Sequence, residues 1–417
     1  MLSWEPSYRR APPCQVTFNK PAGHPYGERD RDMGEATRLL IPGPVPIDPR
    51  VIVELSKPAA PHYGEEWVRR YAEILDMLRK LFQVKASPVY PIAGPAHIAL
   101  EAIAYTLLRP GDRVAVVDNG FFGARCTEVL RAHHLKVEVV TANWGDPPEL
   151  SEIEHAVRGG AKCVAIVHNE TSTGMTNPLR AVAETVTRHD AWVLCDAVSS
   201  LGGLPLPCDT WHVDACFAAS QKCVAAPPGI APVAVSKRLL DGVDPATVDG
   251  WYGNLFTWDR IAREWGDWHP QPTTISSNIL FAFHRALQVL HEEGLEARIR
   301  RHEIIARAYR EGVAGLGYTF FCKPEYASNT VLSTRPPEGV DPRELVVRLK
   351  ADHNIFVAGT LGPMRGQGIR IGHMATQATR DHLQATLRAL AGYSKQAGVK
   401  HTEEAVDQAL QIAAKIP

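Results

Sequence analysis

An aspartate and a lone lysine follow two neighbouring apolar, strand-like stretches of this 417-residue chain. Asp196 comes directly after the apolar run 191–195, and Lys222 follows the next apolar stretch and precedes a glycine–proline turn at 226–229. Partial burial beside apolar side chains disfavours the charged form of a lysine, and the free amine can then attack an aldehyde. The pattern therefore predicts Lys222 as a candidate for Schiff-base chemistry.

An acid and a lysine at neighbouring strand ends are what pyridoxal phosphate chemistry requires. An aspartate against the pyridine nitrogen keeps that nitrogen protonated, so that the ring can accept an electron pair from the substrate. Lys222 can then carry a proton between the substrate carbon and the cofactor carbon as general base and acid. A lysine after a strand is also commonly a solvated loop residue, so spacing alone leaves both interpretations open.

Several motifs, in a fixed order, carry a resemblance to a known family. From Pro42 to about residue 390 the chain resembles the class V, fold type I aminotransferases, most closely the alanine–glyoxylate, serine–pyruvate and ureidoglycine–glyoxylate enzymes. The matching segments are residues 42–45, 119–123, 168–174, the Asp196 segment, 220–222 and 370–374. The resemblance implies pyridoxal 5'-phosphate (PLP) as cofactor and Lys222 as the catalytic residue.

Strand-like runs alternate with helical ones along the chain, at 113–117, 162–167, 191–195 and around Ala215. This alternation predicts an α/β fold in which helices cover a mostly parallel sheet. The resemblance specifies a fold type I PLP-dependent transferase with a seven-stranded sheet. Ligands of such sheets bind beyond the carboxyl ends of the strands, where Asn119, Asn169, Asp196 and Gln221 fall.

We expect the chain to divide into three parts. Residues 1–38 are rich in Pro, Gly and charged residues without apolar periodicity, which predicts a poorly ordered N-terminal extension. Residues 39–300 are expected to form the large PLP-binding domain. Residues 301–417 are expected to form a smaller C-terminal α/β domain, because two strand-like stretches, 330–333 and 355–358, follow a long helical segment at 279–293.

The cofactor phosphate needs backbone donors at the start of a helix, and the glycine-bearing turn 92–97 leads into a helical run. A plain helix cap is the alternative interpretation. Similar enzymes often carry Ser-Gly-His where this chain has Pro95, Ala96 and His97, so the phosphate must depend more on Ala96, His97 and Gln221. The predicted cofactor-binding residues are Gly94, Ala96, His97, Phe122, Thr171, Asp196, Val198, Gln221, Lys222 and Thr274.

The resemblance also implies how the ring is held. Phe122 falls where an aromatic side chain covers the ring and Val198 where a small apolar side chain packs on its other face, although both can equally be core residues. Thr171 is placed near the phenolic oxygen. Thr274 matches a threonine that reaches the phosphate from the neighbouring subunit, which implies a homodimer with active sites at the subunit interface.

Substrate recognition is expected to depend first on Arg370, since a guanidinium holds a carboxylate with two parallel hydrogen bonds. His62 and Tyr63 are predicted to contact the donor across the dimer interface, but as loop residues they can also be simple surface residues. The glutamine and asparagine that bind the ureido group in ureidoglycine–glyoxylate aminotransferase align here with His62 and Gln271. The predicted substrate-binding residues are Arg370, Pro44, His62, Tyr63 and Gln271.

The sequence therefore predicts an aminotransferase that moves the amino group of alanine or serine to glyoxylate or pyruvate by a ping-pong Schiff-base mechanism. Ureidoglycine–glyoxylate and pyridoxamine–pyruvate aminotransferase are the alternatives, and Pro95 stands where the latter has a characteristic acidic residue. A PLP-dependent lyase of this fold is disfavoured because such lyases usually carry a histidine where this chain has Phe122. A non-catalytic scaffold is disfavoured by the presence of Asp196 and Lys222.

Composition agrees with small-molecule chemistry. The net charge of -1 and the absence of long charge runs disfavour nucleic acid and membrane surfaces as partners. The eight cysteines occur singly, which predicts reduced core residues rather than disulfides or a metal site. No apolar stretch is long enough for a membrane span, no secretion signal is apparent at the N-terminus, and the C-terminal tripeptide is not a peroxisomal signal, so we expect a cytoplasmic protein.

Overall fold

A computed structural model describes residues 37–416, so residues 1–36 of the predicted extension at 1–38 lie outside the described residues. The helices of this part are α1 (Pro49–Leu55), α2 (Glu65–Phe82), α3 (Ala96–Leu107), α4 (Phe121–Ala132), α5 (Leu150–Arg158), α6 (Leu179–Thr187), α7 (Lys237–Asp241), α8 (Leu255–Glu264), α9 (Ser277–Glu293), α10 (Leu295–Gly315), α11 (Pro342–His353), α12 (Arg380–Gln396) and α13 (Thr402–Ala413). The strands are β1 (Arg38–Leu39), β2 (Val89–Ala93), β3 (Arg113–Asp118), β4 (Lys136–Thr141), β5 (Cys163–Val167), β6 (Asn169–Glu170), β7 (Met175–Thr176), β8 (Trp192–Asp196), β9 (Ala215–Phe217), β10 (Ile230–Val235), β11 (Thr319–Phe320), β12 (Val331–Arg335), β13 (Ile355–Phe356), β14 (Ala358–Gly359) and β15 (Ile369–Gly372).

The large sheet of the described residues has seven strands in the order β2-β10-β9-β8-β5-β3-β4. Strand β10 is antiparallel to both of its neighbours, whereas the pairs from β9 to β4 are parallel. The central strands β5 and β8 are apolar along almost their whole length, as expected of strands covered on both faces. The prediction of a mostly parallel seven-stranded sheet is confirmed.

The ends of several helices carry local sequence signals that explain their bounds. Helix α2 begins with Glu65 and Glu66 and ends with Arg79 and Lys80, so its charges complement the helix dipole at both ends. Helix α11 begins after Asp341, whose carboxylate accepts from two amides of the first turn. These interactions explain where α2 begins and ends and where α11 begins.

A second, four-stranded antiparallel sheet lies towards the C-terminus, in the order β11-β12-β15-β14. Buried side chains of α10, α11, α12 and α13 form a hydrophobic cluster with this sheet that is separate from the cluster around the large sheet. Arg38, at the end of the predicted extension, pairs in β1 with Ile355 of β13. The division into domains at 39–300 and 301–417 stays a prediction. Among the described residues, no helix is long and apolar enough to cross a membrane.

Candidate active site

A cavity of about 220 Å³ lies at the carboxyl ends of the large sheet's parallel strands. Eight of the predicted cofactor residues line it, brought together from five segments of the chain: Ala96, His97, Phe122, Thr171, Asp196, Val198, Gln221 and Lys222. Gly94 and Thr274 are not among the lining residues. The structure thus collects most of the predicted site, because parallel strands deliver their following loops to one edge of the sheet.

Lys222 lies in a turn that follows β9, rather than directly at the end of the strand. Its Nζ donates a hydrogen bond to the carbonyl of Pro42, and the backbone of Gly43 lies against its side chain, where a Cβ would come within 2.7 Å of Nζ. Burial, with a smaller contribution from the charge of Arg370, lowers the pKa of Lys222 to about 8. The amine is therefore accessible as a nucleophile near neutral pH.

Asp196 ends β8 and faces the same cavity. Its Oδ1 accepts from the amide of Val198 at 2.8 Å. Burial raises the pKa of Asp196 to about 7, the Val198 hydrogen bond opposes this shift, and the charge of Glu170 adds to it. A buried carboxyl group with so few donors is suited to a cationic partner, such as a protonated pyridine nitrogen.

Helix α3 begins at the other end of the cavity. Pro95 occupies its N-cap position and supplies no side-chain hydrogen bond, so the first amides, those of Ala96 and His97, have no acceptor inside the helix, and both residues line the cavity. Gly94 is held back from the cavity because its amide donates to Gly229 O at 2.8 Å. A helix start with open amides fits a phosphate.

Two side chains could enclose a flat ring between these ends of the cavity. Phe122, in the first turn of α4, and Val198, after β8, both line the cavity. Thr171 also lines it and is buried. An amine, a carboxyl group, an anion-binding helix start and apolar walls fit the aldehyde, ring nitrogen, phosphate and ring of PLP.

Arg370 lies in β15 of the second sheet and is only 7% exposed. Its Nε donates to Gly359 O at 2.9 Å, and its Nη1 lies 3.5 Å from Thr171 O. Burial lowers the pKa of Arg370 to about 10, and the charge of Glu170 opposes this shift. The guanidinium is thus charged at neutral pH beside the cavity, although it does not form part of the cavity wall. Pro44 belongs to the loop whose neighbouring Val45 amide donates to Gln221 O at 3.1 Å.

The remaining predicted residues form a separate group, the His62 cluster, which consists of His62, Tyr63, Gln271 and Thr274. Gln271 is fully buried, donates to His62 O at 3.0 Å and accepts from Trp67 Nε1 at 2.8 Å. Thr274 Oγ1 lies 3.3 Å from His62 Nε2, and Tyr63 is 45% exposed. None of the four lines the cofactor cavity of this chain.

Glu170 is a residue of this region to which the sequence assigned no role. It is fully buried, and its carboxylate accepts four hydrogen bonds. Its position after an apolar strand, inside the motif at 168–174, is the feature of the sequence that could have identified it as a functional residue. Two of the four donors come from α4, which is distant in sequence, and spacing does not reveal that contact.

Comparisons with known proteins agree with this geometry. The sequence model of a family described as Aminotransferase class-V matches residues 55–401. A serine–glyoxylate aminotransferase from Methylorubrum extorquens is 31% identical over 81% of this chain and 86% of its own length.

Two solved structures are similar to the whole fold. A ureidoglycine–glyoxylate aminotransferase from Bacillus subtilis has a TM-score of 0.83 and 28% identity, covering 93% of this chain and 100% of its own. A pyridoxamine–pyruvate aminotransferase from Mesorhizobium loti has a TM-score of 0.84 and 25% identity, covering 93% and 99%. With the family match, these findings show that the chain belongs to the class V aminotransferases and is a PLP-dependent transaminase of fold type I.

Proposed function

We propose that this transaminase moves the amino group of alanine or serine to glyoxylate or pyruvate in two half-reactions that use one site. The observation that carries the proposal is the joint placement of Lys222, Asp196 and the buried Arg370 around one cavity of about 220 Å³. The serine–glyoxylate relative supports the choice of donor and acceptor.

PLP, when bound, supplies an aldehyde that takes up the amino group and a ring that withdraws electrons. Arg370 binds the substrate carboxylate and thereby fixes the orientation of the α-carbon hydrogen. Lys222 removes that proton and returns a proton during the second half-reaction. Asp196 holds the proton on the ring nitrogen, which is where its carboxylate charge has its effect.

We further propose a homodimer in which His62, Tyr63 and Thr274 of one subunit complete the cavity of the other, while the buried Gln271 holds His62 in place. Two observations support this: Tyr63 and Thr274 are exposed, and neither lines the cofactor cavity of its own chain. Sedimentation should then give about twice the 45.8 kDa mass of one chain. A monomeric mass with full activity would contradict the shared site.

The buried free thiols of the described residues support a location in the cytoplasm.

Ureidoglycine is a second candidate donor because of the similarity to the Bacillus subtilis structure. The side chain of Gln271 argues against it, since both ends of its amide are engaged by Trp67 and His62. Pyridoxamine as donor is disfavoured by Pro95, which stands at the phosphate turn where an acidic residue would be expected.

A half-reaction screen tests the donor. The purified protein with PLP is given alanine, serine, ureidoglycine, pyridoxamine or cysteine one at a time, and its visible spectrum is followed. We expect alanine or serine to convert the absorption band of the lysine-bound cofactor into that of the aminated cofactor. Product release without this conversion would favour a lyase, and conversion by ureidoglycine alone would replace the proposed donor.

The rate at which the apoenzyme takes up PLP should increase with pH, with a midpoint near pH 8, and level off about one pH unit above that midpoint. Below the lowered pKa of Lys222, about 8, the lysine is an ammonium and cannot attack the aldehyde. Above the raised pKa of Asp196, about 7, the carboxylate is charged and ready for the ring nitrogen. Stopped-flow absorbance from pH 6 to 10 gives the midpoint. A midpoint near the ordinary lysine value of 10.5 would contradict the burial of Lys222.

Replacing Pro95 with serine should strengthen PLP binding. The backbone at Pro95 is extended, with φ -72° and ψ 161°, which a serine N-cap also adopts, so the change adds a hydroxyl and an amide without strain. A hydrogen bond to a charged phosphate contributes about 1.5–3 kcal/mol, so the Kd of the apoenzyme for PLP should fall about tenfold or more. Fluorescence titration measures it, with Pro95→Ala as the control that adds only the amide. Equal affinity of the two variants would show that the hydroxyl does not reach the phosphate.

A further inference from the structure

Glu170 is a fully buried carboxylate at the second position of β6, beyond the end of β5. Every partner that the structure shows for its two oxygens, within the described residues, is a hydrogen-bond donor. A buried carboxylate is costly unless it is hydrogen-bonded, and four donors, together with the cation of Arg370 nearby, meet that condition. Burial raises the pKa of Glu170, and the four hydrogen bonds oppose this shift, so the surrounding donors favour the carboxylate form.

Two of the four donors to Glu170 are amides of the first turn of α4, and the other two belong to Ser172. Oε2 accepts from the amides of Phe122 at 2.9 Å and Gly123 at 3.2 Å, while Oε1 accepts from the amide of Ser172 at 3.0 Å and its hydroxyl at 2.6 Å. The same hydroxyl oxygen accepts from the amide of Phe121 at 3.0 Å. Glu170 and Ser172 together satisfy the three amides that have no acceptor inside the helix.

The N-cap of α4 itself, Gly120, has no side chain, so the cap comes from a distant segment. A Cβ at Gly120 would lie 2.2 Å from Cγ of Glu170, which shows how closely the carboxylate approaches this turn. The glycine leaves room for Glu170, and the negative charge lies at the positive end of the helix. The start of helix α4 is thus capped by two buried side chains, those of Glu170 and Ser172.

Two groups of the active site depend on this cap. Phe122 donates its own amide to Glu170 and lines the cofactor cavity, so its ring position follows from the cap. Arg370 lies beside the carbonyl of Thr171, the residue next to Glu170. Lys222 and Asp196 line the cavity, whereas Arg370 and Glu170 lie outside its lining.

We propose that Glu170 is a positioning residue of the transaminase, whose carboxylate fixes Phe122 against the cofactor ring and keeps Arg370 aimed at the substrate carboxylate. It does not touch the reacting atoms. Glu170 positions Phe122 through its hydrogen bonds to the first turn of α4. It positions Arg370 through electrostatic attraction. The cofactor and the substrate should therefore both respond to its removal, each through a separate contact.

The first test is Glu170→Gln, which keeps the size but not the charge. One end of a glutamine amide is a donor, so it would face the donors of Phe122 and Gly123 or those of Ser172. We expect the Kd of the apoenzyme for PLP and the half-saturating concentration of 2-oxo acid each to rise about tenfold or more. The induced circular dichroism of bound PLP should also change, because it reports the position of the ring.

Asp214→Asn is the matched control. Asp214 is a buried carboxylate at the opposite edge of the same sheet, where it accepts from the amide of Val193 at 3.0 Å and from Arg238 at 2.9 Å. The substitution Asp214→Asn should lower the unfolding midpoint without changing the PLP affinity or the induced circular dichroism of bound PLP. If Asp214→Asn produces the same changes as Glu170→Gln, the effect is general destabilisation and the proposal is wrong.

Ser172→Ala separates the two routes and remains informative if Glu170→Gln does not fold. It removes the acceptor of the Phe121 amide but keeps the charge of Glu170, so PLP affinity should fall while the half-saturating 2-oxo acid concentration stays within about twofold. Unchanged PLP affinity in both variants would overturn the proposal. The proposal rests on the transaminase function, but PLP titration needs no donor, so a wrong donor and a wrong role for Glu170 give different results.

Discussion

Replacing Lys222 with alanine is expected to abolish transamination while leaving the fold intact. The amine provides both the covalent attachment of the cofactor and the proton carrier, and loss of general acid–base catalysis alone costs about 10²–10⁴-fold in rate. The absorption band of the lysine-bound cofactor should disappear, and the kcat of the purified variant should fall at least 10⁴-fold. Visible spectra and single-turnover kinetics measure the two effects.

The stability of the Lys222→Ala apoenzyme provides the control. Burial lowers the lysine pKa from 10.5 to about 8, so between these values the unfolded chain binds more protons than the folded one. At neutral pH the buried ammonium therefore destabilises the folded apoenzyme, and its removal should not lower the unfolding midpoint. A small primary amine added to the solution should partly restore turnover. Undiminished turnover without any amine would mean that another residue forms the attachment.

Replacing Arg370 with alanine should raise the half-saturating concentration of both the amino donor and the 2-oxo acid. Both substrates carry a carboxylate, and loss of one partner of a buried hydrogen-bonded charge pair costs about 2–5 kcal/mol. The corresponding increase is about 30-fold to 5,000-fold. Initial-rate kinetics with each substrate varied in turn measure it. Because one arginine serves both half-reactions, the two increases should be of similar size.

Two variants sharpen this experiment. Arg370→Lys keeps the charge but loses the planar pair of donors, so its half-saturating concentrations should lie between those of the wild type and of Arg370→Ala. Arg335→Ala, on the neighbouring strand β12, removes a guanidinium that stacks on Phe321 and should leave both half-saturating concentrations unchanged. If Arg370→Ala changes only one substrate, the other carboxylate binds elsewhere.

The large sheet was predictable because its strands are apolar, short and separated by amphipathic helices, which are local signals. Asp196 lies where this pattern placed it, as the last residue of β8. Lys222 does not directly end a strand, since β9 stops at Phe217 and a turn intervenes. That turn is held by the loop around Pro42 and Gly43, a contact between segments far apart in sequence.

The separation of the His62 cluster from the cavity could not be deduced from the residues. Resemblance grouped His62 and Thr274 with the substrate and cofactor sites, whereas within one chain they contact each other and Gln271 away from the cavity lining. In the proposed homodimer, they reach a cavity only across the subunit interface. A sequence specifies which side chains are present, but not whether a side chain contributes to a site of its own chain or of another subunit.

The sequence by itself determined the chemistry, since a lysine amine, an aspartate and a guanidinium in these motifs suit PLP and carboxylate substrates whatever their exact spacing. Only the tertiary structure decided their electrostatics. The pKa values of Lys222 and Asp196 depend on burial by side chains from several segments, and the role of Glu170 depends on amides of α4. Burial and capping by distant groups are properties of the packed chain, because they arise from neighbours that local sequence patterns do not identify.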